Sequence, residues 1–97
     1  MDPHLEALAR RLEDGLSWGP VDGDLFRLRL EREWAPRLAL ARELFGTEPG
    51  LLREELEHQL QDLWRLERRW AESERWEWCA GVRDLRLRLE AQMQVSL

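Results

Sequence analysis

Glu55 and His58 stand three residues apart in a run of strong helix formers, so a single turn would present a carboxylate and an imidazole together. That pair could hold a metal ion if further carboxylates converged on it from neighbouring helices. Arg53, one and a half turns before His58, could instead join it in acting on a phosphate. Glu67 and Glu74 fall by helical count within an apolar stripe, near Leu63 and Trp70. Unpaired charge is costly to bury, so each must find an arginine, such as Arg37 or Arg42 on the preceding helix, or face a wet groove. A catalytic acid and base is one use of such carboxylates, and structural ion pairing is the simpler one. There is no Gly-rich phosphate loop, Cys-x-x-Cys pair or Ser-His-Asp arrangement. Cys79, flanked by Trp78 and Ala80, has no adjacent cation to activate its thiol.

Glu55-x-x-His58 resembles part of the ligand set of ferritin-like di-iron bundles, which would imply a small helical metal protein. Arg53-x4-His58 resembles the motif of HEPN-type ribonucleases, whose Arg and His act on an RNA phosphate. That likeness covers six residues, and Glu54 stands where those enzymes usually carry a polar residue after the Arg. His58 also lies on the polar side of its helix, among glutamates that would repel RNA.

Six tryptophans are the remaining chemistry-bearing feature. Trp and Arg carry much of the binding energy at protein interfaces. Trp64 and Trp70 are expected to fill the core, with Trp18 and Trp34 covering its ends. Trp76 and Trp78 would share one face of an extended segment, and are the candidates for an exposed contact patch.

The elements that must position these residues begin with Asp2-Pro3, an N-cap with proline at the first helical position, followed by Leu5, Leu8 and Leu12 and a stop at Gly15. Asp22-Gly23 suggests a tight turn joining strands over roughly 16–21 and 24–32, although Phe26, Leu30, Trp34, Leu38 and Ala41 would also form a helical stripe. Pro36 fits the start of a short helix over residues 37–45, stopped by Gly46. From Gly50 a long helix runs towards Gly81, with Leu52, Leu56, Leu60, Leu63, Trp64, Leu66, Trp70 and Ala71 on its apolar side. From Leu85 to Leu97 apolar and polar residues alternate at every step, the period of a strand with one wet face.

The fold these signals predict is α+β in a single domain over residues 1–97: N-terminal helix, β-hairpin, short helix, long helix and C-terminal strand or hairpin. The alternative is an all-α helical hairpin or three-helix bundle. Ninety-seven residues allow a thin core. All fifteen basic residues are Arg, and the net charge is −5, spread over both halves. Even acidity argues against a nucleic-acid partner. No run of residues is long and apolar enough for a membrane span, and a lone cysteine with no apolar leader points to the cytoplasm.

These features predict a non-enzymatic protein-protein interaction module without a cofactor: a small acidic cytoplasmic adaptor, assembly factor or secretion-type chaperone, acting as a homodimer. Small acidic chaperones of secretion systems are similar in size, charge and mixed character. The partner would be another protein or peptide segment. It would meet the edge of the C-terminal ribbon at Leu85, Leu87 and Leu89, with Trp76 and Trp78, and an apolar groove rimmed by Trp and Arg. The competing class is the metal-binding or nuclease-like protein built on Glu55 and His58.

Overall fold

A computed structural model describes residues 2–16 and 22–96. The described residues form four α-helices: α1 (Pro3–Glu13), α2 (Asp22–Phe45), α3 (Pro49–Glu72) and α4 (Trp76–Ser96). The fold is all-helical, which overturns the α+β expectation and fits the bundle alternative. Trp18 and the first arm of the expected hairpin lie outside the described residues, apart from Leu16.

α1 begins as its sequence dictates. The Asp2 carboxylate accepts a hydrogen bond from the His4 amide at 2.8 Å, and Pro3 occupies the first turn. Leu5, Leu8, Ala9 and Leu12 are buried, and the chain leaves the helix at Gly15 with φ of 71°.

Residues 24–32 are part of α2 and not a strand. Their alternation coincides with a helical row in which Phe26, Leu30, Trp34 and Ala41 are buried, while Leu25 and Leu28 face outward. α2 also continues through Pro36, so no separate helix starts there. Proline removes one donor and crowds the carbonyl of Arg32. Both Arg32 and Pro36 lie on the exposed side, where water can satisfy what the ring leaves unbonded.

α3 stops well before Gly81. Ser73 caps it, and Glu74 adopts the left-handed conformation at φ of 59°. The Glu74 amide donates to the Ala71 carbonyl at 3.0 Å and the Arg75 amide to the Trp70 carbonyl at 2.8 Å. That bond pair is a Schellman closure with glutamate where glycine is usual. Gly81 lies inside α4, where a side chain would meet Phe26 at 3.3 Å and Arg27 at 3.1 Å. Its role is close approach of two helices and not helix termination.

The alternating C-terminal segment is helical as well. Trp78, Val82, Leu89 and Met93 are buried and Leu85 is half-buried, at steps of four, three, four and four residues. Leu87 points away from the core with half its surface exposed.

α2 and α3 form an antiparallel hairpin, and α4 returns beside both, parallel to α2. Phe26 of α2 stacks on Trp78 of α4 with centroids 4.3 Å apart, and Trp70 of α3 meets both rings edge-on at 5.0 and 5.4 Å. α1 lies against α2 and the C-terminal half of α3. Arg69 bridges Glu6 at 2.6 Å and Glu13 at 2.8 Å, and the Glu13 carboxylate also accepts from the Trp70 indole at 3.2 Å. Those two carboxylates hold the Arg69 guanidinium above its ordinary pKa, the Glu13 hydrogen bond contributing most.

Candidate functional site

A concavity of about 270 Å³ lies between the parallel helices α2 and α4. Trp34, Ala35 and Leu38 line it from α2, and Leu85 and Leu89 from α4. Glu31, Arg88 and Gln92 complete the lining. Arg88 donates to Glu31 at 2.9 Å, and Arg42 donates to Gln92, so cross-helix polar pairs flank an apolar floor.

The groove follows from residue spacing on two helices. Glu31, Ala35 and Leu38 recur at intervals of four and three on α2; Leu85, Leu89 and Gln92 do so on α4, with Arg88 beside Leu89. Parallel packing brings the rows together, because Arg27 meets Asp84 at 2.7 Å before Glu31 meets Arg88 further along. Leu28 lies one turn before Glu31 and is exposed, extending the apolar row beyond the groove.

Beneath one wall of the groove is a buried polar network between α2 and α3. The Trp34 indole donates to the Gln59 side chain at 3.2 Å, and Gln59 donates to the Arg37 carbonyl and to Glu55, both at 3.3 Å. Asp62, also buried, accepts from Arg37 at 2.9 Å and from Arg65 at 3.5 Å. The Arg37 guanidinium lies 4.4 Å from the centroid of the Trp34 ring. This network fixes Trp34, and therefore the shape of the groove wall. Sequence reading missed Gln59 and Asp62; their signal was a place beside the apolar stripe of α3.

The residues singled out in the sequence scatter. Trp76 is 64% exposed, whereas Trp78 is 3% exposed and packed in the aromatic core, because a helix turns them 200° apart. The contact patch built on both tryptophans is thereby corrected: Trp78 is a core residue. Leu85 and Leu89 reach the groove floor, Leu89 as a buried residue, while Leu87 turns to another side. No ribbon edge exists at these leucines, since they belong to α4.

Glu55, His58 and Arg53 do not converge on a common point. Glu55 is bonded to Gln59, Arg53 pairs with Glu57 at 3.2 Å, and exposed His58 lies 3.9 Å from Asp62. Among the described residues no group of three or more His, Cys, Asp or Glu side chains is placed to hold a metal ion. Glu67 finds its arginines on α4 and not on α2, with Arg83 at 3.1 Å and Arg86 at 3.5 Å. Glu74 is exposed in the α3–α4 turn. Burial pushes the Cys79 thiol above its ordinary pKa, nearby Glu67 adds to the effect and Arg83 opposes it. A buried protonated thiol is a poor nucleophile.

The groove thus presents an apolar floor and one carboxylate, Glu31, held by Arg88. Comparison of the chain with protein-family models, curated proteins and solved structures gave no match.

Proposed function

We propose that this protein is a non-enzymatic interaction module, an adaptor or assembly factor, that takes an apolar helical surface of another protein chain along the α2–α4 groove. The observation that carries the reading is the groove itself: an apolar floor between two helices, flanked by cross-helix polar pairs and prolonged by exposed Leu28. Parallel helices with an apolar seam suit the helix-in-groove mode of recognition, in which residues at three- and four-residue spacing enter the seam. The strand-addition mode has no support, because the leucines that would have formed the ribbon are helical.

The net charge of −5 disfavours nucleic acid as the partner. No helix of the described residues is long and apolar enough to cross a membrane. The lone, buried Cys79 is the thiol usage of a cytoplasmic chain, which is the compartment this reading expects.

Tagged protein incubated with extract of its native cells tests the reading. Ala35 lines the groove and is exposed, so Ala35→Arg fills the seam without disturbing the core. A protein captured by the wild type should be lost from Ala35→Arg and kept by Leu44→Glu, a change at an exposed leucine elsewhere on α2. Equal capture by all three proteins refutes the groove as the binding surface.

A further inference from the structure

The groove does not stand alone on its side of the molecule. Along α2 the exposed residues Asp24, Leu28, Arg32, Ala35, Ala39 and Arg42 follow at helical spacing, and along α4 so do Glu77, Asp84, Arg88 and Gln92. Because the helices run parallel, their charges sort by end. Asp24, Glu77 and Asp84 lie towards the N-terminal end of this face, where Arg27 is their nearby cation, so carboxylates outnumber it. Glu31 and Arg88 pair across the centre and offset each other. At the C-terminal end stands Arg42, whose side chain donates to the neutral Gln92 and so keeps its positive charge. Between the two ends Leu28, Ala35, Leu38, Ala39 and Leu85 form an apolar strip, edged by the Glu31–Arg88 pair and by exposed Arg32.

A face with an excess of carboxylates at one end, an apolar strip along its middle and Arg42 at the other end can pair Asp24 with Arg42 when it meets its own reverse. We infer that the occupant of the α2–α4 face is a second copy of this chain, docked antiparallel about a two-fold axis that crosses the middle of the groove. The inference rests on the groove being the interaction surface, and it names the partner.

Three physical arguments favour this occupant. A two-fold operation lays α2 on α2 and sets Asp24 of one copy, with Glu77 beside it, against Arg42 of the other; it does so twice, as an isologous interface requires. Parallel α2 and α4 also align their helix dipoles side by side, and an antiparallel pair from another copy opposes them. Finally, the face is large enough. The 24 residues of α2 span about 36 Å, and two packed helices present a width of roughly 20 Å. That gives on the order of 700 Å² per copy, close to the roughly 800 Å² of a standard stable interface. Ala35 and Ala39, one turn apart and both exposed, leave room for a facing helix to come near, and docking would cover Leu28 as well.

Sedimentation equilibrium of the full chain tests the inference. At about 100 µM the wild type should sediment at twice its chain mass of 11.6 kDa. Ala35→Arg should sediment at the single-chain mass, with its helical circular dichroism retained. Asp24→Arg and Arg42→Glu should each weaken the dimer roughly tenfold or more by placing like charges together. The double variant Asp24→Arg/Arg42→Glu should recover most of that loss, since the reversed charges meet again across the axis. Leu44→Glu should leave association unchanged.

A wild type of single-chain mass overturns the inference, as does a dimer indifferent to Ala35→Arg. Failure of the double charge reversal to recover association overturns the antiparallel arrangement. A monomeric wild type whose capture of another protein is still abolished by Ala35→Arg sinks the self-docking inference and leaves the interaction module standing. Loss of neither property in Ala35→Arg sinks both.

Discussion

Trp76 and Trp78 make the sharpest stability contrast in the molecule. On a pleated strand they would share a face and respond alike to truncation; on α4 they point in nearly opposite directions. Trp78 is buried, stacked 4.3 Å from Phe26 and edge-on to Trp70 at 5.4 Å. Replacing a core Trp by Ala costs about 3–5 kcal/mol, of which an aromatic pair accounts for roughly 0.5–1.5 kcal/mol. A domain of this size has about 5–15 kcal/mol of stability in all. Trp78→Ala should therefore lower the melting temperature by roughly 15–30 °C, or leave the chain partly unfolded at 25 °C. Trp76→Ala removes a mostly exposed ring and should change stability by no more than about 0.5 kcal/mol. Urea and thermal melts followed by far-ultraviolet circular dichroism are the suitable assay, since tryptophan fluorescence changes with the substitution itself. Similar losses in the two variants would refute the helical phase of α4, and with it the groove.

Other perturbations follow from the same geometry. Gln59→Leu leaves the buried Trp34 indole without its acceptor and should cost about 1–3 kcal/mol in a denaturant melt. Glu74→Gly relieves the left-handed strain at the α3–α4 turn and should raise stability by about 0.5–1 kcal/mol, whereas glycine at an ordinary helical site lowers it. Arg69→Met removes the bridge from Glu6 and Glu13 to α3, so amides of α1 should lose hydrogen-exchange protection before those of α4. The raised pKa of Cys79 means that the native state keeps its proton where the unfolded chain has begun to lose it. Stability should then fall as pH rises through the ordinary thiol range towards the native pKa, and Cys79→Ala should remove that part of the decline.

The sequence revealed individual apolar rows more reliably than the elements that carry them. On α3 the expected stripe is the observed one: Leu56, Leu63, Leu66 and Trp70 are buried, and only Trp64, at the stripe's margin, faces out. α1 was legible because its cap, proline and stop are local signals. The C-terminal segment misled because leucine at every second position satisfies both periods. The helix uses Leu85, Leu89 and Met93 and discards Leu87, a selection that only the core from α2 and α3 can make. The break after Glu72 was hidden because glutamate performs the turn that glycine usually marks, while the glycine at position 81 serves packing.

The site was half legible for the same reason. Leu85 and Leu89, expected at a contact surface, line the groove between α2 and α4. Its other wall, Trp34 and Leu38, comes from about fifty residues away, through a parallel packing that no local spacing encodes. An extended segment before Gly81 would put Trp78 at the surface beside Trp76; in the folded chain that tryptophan is the ring on which Phe26 stacks.

Small-angle X-ray scattering of the intact chain at increasing concentration tests the self-docking account most directly, because it reads mass and shape together. One copy is 43 Å long by 26 and 21 Å across. Side-by-side antiparallel docking should double the scattering mass while keeping the longest dimension well short of twice 43 Å. A mass that stays at 11.6 kDa, or a doubled mass with a longest dimension near twice that of one copy, would contradict it.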